Sequence, residues 1–131
     1  MTDIEKLIDL AIKNKDNSYS PYSNFRVSAV LMTKSGKIYK GVNIENASYS
    51  PTICAERSAI AAAVSDGEKT IKYIVITGDS PYTYPCGLCR QVIREFADEK
   101  TQIIIAKSAD DYKIHTIEEL LPFSFSKEDL G

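Results

Sequence analysis

Apolar residues along the chain switch between two periods, and the switches divide it into elements. Ile4, Leu7, Ile8, Ala11 and Ile12 recur at helical spacing behind a Thr2/Glu5 capping box, so residues 3 to 15 are predicted to form an amphipathic helix resting one face on something larger. The segment from Asn14 to Asn24 is dense in turn formers and reads as a loop. Phe25 to Leu31 then alternates into a strand, Lys34 to Lys37 turns it back, and Ile38 to Asn43 returns as the second strand of a hairpin. A polar loop, Asn43 to Ser50, follows. From about Thr52, through Ala59, Ile60, Ala63 and Val64, the chain is helical by propensity until Asp66-Gly67 ends it, and so many alanines predict close packing against a sheet. Ile71 to Thr77 and Gln102 to Ala106 are β-branched runs fit for buried strands. Between them lie the loop Gly78 to Pro85 and a helix bearing Leu88, Val92, Ile93 and Phe96. The tail holds a short strand-like piece at 112–114, a helix of one or two turns at 117–121, and the sequence Pro122-Phe123-Ser124-Phe125. With no internal repeat or linker, the order β-β-α-β-α-β predicts one α/β domain over residues 1–131, with a mixed sheet that is parallel where strands alternate with helices.

Composition narrows what such a domain does. In 131 residues, 44% of them apolar, there is material for one core without a metal to supply stability, so any metal present is expected to be functional. The longest apolar runs, Ala59 to Val64 and Ile103 to Ala106, are too short to cross a bilayer, and the N-terminus is charged from its third residue. A soluble, cytoplasmic protein with no membrane partner is expected. Sixteen basic residues against eighteen acidic ones, and a pI near 5.4, leave no electrostatic footprint for a nucleic-acid polymer. A small or weakly charged ligand is the better expectation.

The chemistry rests on three cysteines: Cys54 in PTICAERSA, and Cys86 and Cys89 in YPCGLCRQ. In a reducing compartment they are not expected to form disulfides, and three is one too few for a Cys₄ zinc site. Both blocks fall where a loop runs into a predicted helix N-terminus, where free N–H groups and the helix dipole favour a thiolate. Cys86 and Cys89, spaced i and i+3, can point the same way, and Gly87 leaves room for backbone N–H groups to approach sulfur. Structural zinc sites are closed by four protein ligands, whereas catalytic sites keep one position for water, so three thiolates predict an open site. Glu56, two residues from Cys54, is placed to move protons beside such a metal rather than to bind it. Arg57 and Arg90 follow ligand cysteines and are expected to offset the surplus negative charge on sulfur. Each feature has a plainer reading taken alone. A lone CxxC also suits a structural metal or a redox pair, an isolated cysteine is usually a small buried hydrophobe, and Glu56-Arg57 alone reads as a solvated helix face. Together, Cys54-Ala55-Glu56 and Pro85-Cys86-x-x-Cys89 match the Cys form of the zinc-deaminase signature. His115, the only histidine, is expected to be structural or solvent-facing rather than a fourth ligand.

At this point the chain resembles the small, homotetrameric, three-cysteine cytidine deaminases. The family pattern SPYSxFxVGA stands here as Ser20 to Ala29, GVNIENASY as Gly41 to Tyr49, CAERxA as Cys54 to Ala59, PCGxCRQ as Pro85 to Gln91 and LLPxxF as Leu120 to Phe125. The resemblance implies a three-layer α/β/α fold on a mixed five-stranded sheet. It implies one zinc per subunit on Cys54, Cys86 and Cys89, with a bound water or hydroxide, and Glu56 as the proton shuttle. Asn43 and Glu45 would bind ribose hydroxyls, Phe25 would pack on the pyrimidine, and the backbone of Ala55 would contact the base. Tyr49 and Phe125 would reach into a neighbouring subunit's site. Taken singly, Asn43 and Glu45 read as a polar turn and the phenylalanines as core; the surrounding motifs reverse that. Two departures are Ser28, where the family usually has Gly, and Leu88, at a position often smaller. Phe123 competes with Phe125 for the tail role, and spacing favours Phe125.

The implied activity is hydrolytic deamination of cytidine and deoxycytidine, as in pyrimidine salvage. Glu56 would take a proton from zinc-bound water, pass it to N3, and later protonate the departing amino group. A deaminase of blasticidin S or deoxycytidylate is the alternative within the class; a non-catalytic, zinc-stabilised binding module is the alternative outside it.

Overall fold

The computed structural model describes residues 1–131. Helix α1 (Asp3–Asn14) opens with a reciprocal capping box, Glu5 N donating to Thr2 Oγ1 and Thr2 N donating to the Glu5 carboxylate. Strands β1 (Val27–Thr33) and β2 (Ile38–Val42) form the hairpin, turned at Gly36, whose φ of 95° is the left-handed conformation that favours glycine. Then follow α2 (Ala55–Ser65), β3 (Ile71–Gly78), α3 (Gly87–Phe96), β4 (Gln102–Ser108), β5 (Asp111–His115) and the single turn α4 (Ile117–Leu120). The sheet has five strands in the order β2-β1-β3-β4-β5, and it is mixed: β3 and β4 pair parallel, all other neighbours antiparallel.

Alternation along the central strands separates two cores. Val30, Val75, Ile104 and Ala106 face Leu7, Ile8 and Ala11 of α1 on one side. Ala29, Leu31, Ile74, Ile76, Ile103 and Ile105 face Ala55, Ala59, Ile60 and Ala63 of α2 and Ile93 of α3 on the other. The result is the three-layer α/β/α arrangement, with the β-branched runs continuous because both sheet faces are covered.

Three boundaries move for reasons that bear on the site. β1 begins at Val27, not Phe25: Asn24 takes a left-handed φ of 56°, and Arg26 is held out of the strand by Asp79, which accepts from its backbone N at 2.8 Å and from Nη2 at 3.0 Å. α2 starts at Ala55 rather than Thr52, because Ile53 exchanges backbone hydrogen bonds with Ile44 in an isolated bridge. β5 is a full five-residue edge strand where the sequence showed three strand-like positions.

The alanine-rich α2 packs against β2 more closely at Gly41 than any side chain there would allow. A Cβ on Gly41 would lie 2.4 Å from Ala59 N and 2.5 Å from Ala55 O, contacts with backbone that no rotamer change relieves. Gly41→Ala is therefore expected to lower stability by on the order of 3 kcal/mol, read from denaturant unfolding, and to displace the N-terminus of α2. A variant as stable as the parent would show that the helix can retreat without cost.

Candidate active site

The three cysteines converge because two helices begin beside each other. Cys54 is the N-cap of α2, Cys86 is the N-cap of α3, and Cys89 lies in the first turn of α3. Their Sγ atoms all lie within 4.8 Å of one another, with Cys54 and Cys86 4.0 Å apart. A tetrahedral zinc with Zn–S bonds of about 2.3 Å requires sulfurs roughly 3.8 Å apart, so the three thiols fit such an ion with little movement. Cys86 Sγ accepts from Cys89 N at 3.4 Å, an amide donor at the helix start. No imidazole or carboxylate joins the group. His115 lies elsewhere, its Nε2 2.9 Å from the Tyr84 hydroxyl.

Charge in the cluster is unequally shared. The Cys54 thiol is pushed down to about 5 by hydrogen bonding from Cys89 and then from Arg57 and Cys86, against its burial. Cys89 is pushed up by the same contact with Cys54 and by burial. The Cys54 thiolate is thus favoured without a metal, and a divalent cation would favour the ionised form of each sulfur that bound it. Arg57 Nη2 donates to Cys54 Sγ at 3.7 Å and to Thr52 O at 3.5 Å, while its Nε is buried with no protein partner. Arg90, expected beside sulfur, is placed differently: Nε donates to Pro85 O at 2.8 Å and Nη1 to Leu120 O at 2.7 Å. It ties the start of α3 to the carbonyl end of α4, where a cation is favourable, and leaves Arg57 as the guanidinium on the sulfurs.

Glu56 is 4% exposed, in the first turn of α2. Burial first, and then the neighbouring Cys54 charge, push its carboxyl up to about 7. A carboxyl so tuned can both hold and release a proton near neutrality.

A cavity of about 280 Å³ opens onto these groups, lined by Phe25, Val27, Asn43, Ile53, Cys54, Ala55, Glu56 and Cys86, with Thr52, Thr83 and Tyr84 completing the wall. Asn43 is largely occupied by its own chain: Oδ1 accepts from Val27 N at 2.9 Å and from the Ser18 hydroxyl, and Nδ2 donates to Phe25 O at 2.8 Å. One Nδ2 hydrogen remains for a ligand. Glu45 lies in an adjoining depression with Tyr22, Ser23, Tyr49 and Thr52, where Tyr22 N and Ser23 N hold its carboxylate at 2.9 and 3.1 Å. Thr52 borders both hollows, so a ligand could extend from one to the other. Tyr49 is 73% exposed with a left-handed φ of 61°, its ring edge-on to Tyr22 at 6.1 Å. Phe125 is 60% exposed and Phe123 fully so; neither reaches this chain's cavity.

Not evident from the sequence are Thr83 and Tyr84 in the cavity wall, the Ser18 and Ser23 hydroxyls that fix Asn43 and Glu45, and the Asp79 clamp on Arg26. The signal available for the last was faint: a lone acid at the end of a buried strand. Ser18 and Ser23 looked like ordinary turn formers, and nothing local distinguishes a tyrosine that lines a cavity from one that covers a surface.

Comparison with known proteins adds an independent line. Residues 1–105 match the model of the cytidine and deoxycytidylate deaminase zinc-binding region. The chain is 45% identical over 131 residues to a cytidine deaminase of Sporosarcina psychrophila, covering 98% of this chain and 96% of the relative. It is 45% identical over 130 residues to a probable cytidine deaminase of Dictyostelium discoideum, covering 98% and 87%. The crystal structure of cytidine deaminase from Burkholderia pseudomallei superposes with a TM-score of 0.88 at 36% identity, covering 95% of this chain and all of that one.

The raised Glu56 carboxyl has a consequence for stability in metal-free protein. Between the ordinary 4.5 and about 7, the unfolded state has released this proton while the folded state keeps it, so the contribution of Glu56 to stability falls as pH rises through that window. Glu56→Gln removes that loss. The stability of the metal-free variant relative to metal-free parent should therefore increase from pH 4.5 to 7, measured by urea unfolding at each pH. A constant difference would mean the carboxyl is not shifted.

Proposed function

The chain belongs to the cytidine and deoxycytidylate deaminase family, and on that premise we propose that this site hydrolyses cytidine and deoxycytidine to uridine and deoxyuridine with release of ammonia, a reaction of pyrimidine salvage. The observation that carries the reading is the meeting of three thiols within 4.8 Å of one another beside a buried carboxyl pushed up to about 7, with Cys54, Cys86 and Glu56 lining one cavity.

Cys54, Cys86 and Cys89 would hold one zinc ion per subunit, which would supply Lewis acidity and activate a bound water or hydroxide. The rest is done by the chain. Phe25, Val27 and Ile53 form an apolar slot for the flat pyrimidine, and the backbone of Ala55 meets its polar edge. Asn43 offers its free amide hydrogen, and Glu45 its carboxylate in the adjoining hollow, to the ribose hydroxyls. Glu56 takes a proton from the attacking water and hands one to N3, which makes C4 electrophilic and then tetrahedral. It then takes the remaining proton from the new C4 hydroxyl and delivers it to the exocyclic nitrogen, which leaves as ammonia as the C4 carbonyl forms, while the first proton stays on N3. Arg57 keeps the sulfurs from carrying uncompensated charge.

We read residues 1–131 as a single deaminase domain acting in the cytoplasm, in a homotetramer. Tyr49 and Phe125, both exposed here, would complete a neighbour's cavity. The exposure of Phe123, Phe125 and Leu130, at 100%, 60% and 80%, supports burial of the tail against another copy.

A panel of cytidine, deoxycytidine, deoxycytidylate and blasticidin S, followed by ultraviolet absorbance on zinc-assayed protein, tests the reading. The two nucleosides should be preferred, Glu56→Gln should keep its zinc and lose at least about 10³-fold in turnover, and light scattering should give the mass of four subunits. Preference for either of the other compounds would reassign the substrate, near-parental turnover by Glu56→Gln would remove its role, and a stable, active monomer would contradict the assembly.

A further inference from the structure

Edge strand β5 presents three polar side chains at alternate positions, Asp111, Lys113 and His115, which the period of two brings to one face. Each engages a tyrosine of the loop that leads into Cys86. The Tyr82 hydroxyl donates to Asp111 Oδ1 at 2.6 Å, Lys113 Nζ lies 4.3 Å from the Tyr82 ring centroid, and the Tyr84 hydroxyl lies 2.9 Å from His115 Nε2. The Tyr84 and His115 rings also pack together, centroids 5.4 Å apart. Behind the imidazole, Nδ1 faces Glu119 Oε2 at 3.9 Å, which favours the tautomer with its proton on Nδ1 and leaves Nε2 to accept from the phenol. Thr83, between the two tyrosines, is pinned from the opposite direction: Gly78 passes so close that a Cβ there would meet its side chain at 2.4 Å, and Ser80 Oγ lies 2.7 Å from its hydroxyl.

This segment borders the cavity. Thr83 and Tyr84 form part of its wall, and Cys86 follows two residues later. A tyrosine ring 39% exposed, with one edge in a cavity, would ordinarily sample several orientations; here its hydroxyl is tethered at the far end by the chain's only histidine.

We propose that the Asp111–Lys113–His115 face of β5 is a rail that docks the Tyr82–Tyr84 segment, and that His115, through its hydrogen bond to Tyr84, is a positioning residue that fixes Tyr84 as a specificity-determining wall of the nucleoside cavity. The inference rests on the reading of that cavity as the nucleoside site. Tyr84 acts on binding, because it lies on the wall rather than at the proton path of Glu56. His115 acts only through it.

A double-mutant cycle on the zinc-loaded protein, with cytidine as substrate, tests this. Tyr84→Phe and His115→Ala should each raise KM about five-fold, the loss expected of one neutral hydrogen bond, with kcat within about two-fold of the parent. The double variant should be no worse than either single change, and His115→Gln, whose amide oxygen can accept from the phenol, should recover most of the loss. The single histidine also gives an isolated readout: saturating uridine should shift the His115 imidazole proton resonances in the parent and not in Tyr84→Phe. Unchanged KM with lowered melting temperature, additive KM effects, or a uridine response that survives Tyr84→Phe would overturn the proposal and leave β5 a purely structural strap. If His115→Ala does not fold, Tyr84→Phe and His115→Gln decide the case by the same KM and resonance criteria. A parent that leaves cytidine untouched defeats the deaminase reading and this inference together, whereas a parent that deaminates beside unaffected variants defeats the inference alone.

Discussion

Everything at the site depends on how closely α2 can lie on β2. The distance is set at Gly41, where the backbones of strand and helix approach so nearly that a single methyl group would strike Ala55 O and Ala59 N. That approach sets how near the first turns of α2 lie to the sheet, and the Ile53–Ile44 bridge sets where the helix starts, with Cys54 at the N-cap and Glu56 in the first turn. The parallel strands β3 and β4, linked through α3, deliver the second helix start from the other direction. Two N-termini, each with unpaired amides and a positive dipole end, then share one small volume, and the sulfurs of Cys54 and Cys86 come to 4.0 Å.

That geometry creates an electrostatic problem that a divalent cation resolves. The sulfurs do not share charge evenly: Cys54 is pushed towards its thiolate form while Cys89 is pushed towards its protonated form. Glu56, almost fully buried, feels both its desolvation and the Cys54 charge, and so keeps a proton to about 7. Burial, which is costly for a carboxylate, is what makes this one useful near neutrality. The Arg57 guanidinium lies against the Cys54 sulfur, with its Nε buried and without a protein partner.

Much of this was legible in the sequence, because the signals are local. The capping box at Thr2, the glycine turn at 36, the continuous β-branched runs and the helix starts at both cysteine blocks each follow from short-range rules, and together they give the layer order. What was not legible depends on contacts between distant segments. Phe25 and Arg26 alternate like strand residues, yet Asp79, 53 positions away from Arg26, holds them out of β1. Arg90 follows a cysteine as Arg57 does, yet it turns to the carbonyl end of α4, 30 positions away, where Leu120 O accepts from it. Edge strand β5 looked like a fragment, since its alternation of Asp111, Lys113 and His115 is polar and gains meaning only when the tyrosines of the 82–84 loop lie across it.

On the proposed reading, three thiolates and no fourth protein group would hold the metal, which would leave one position for the chemistry. Zinc K-edge X-ray absorption on the purified protein reads this directly. Three sulfur scatterers at about 2.3 Å are expected, with one light atom near 2.0 Å whose signal is unchanged in a His115→Gln variant. Four protein ligands, whether a fourth sulfur or a histidine pattern that disappears with His115, would contradict it.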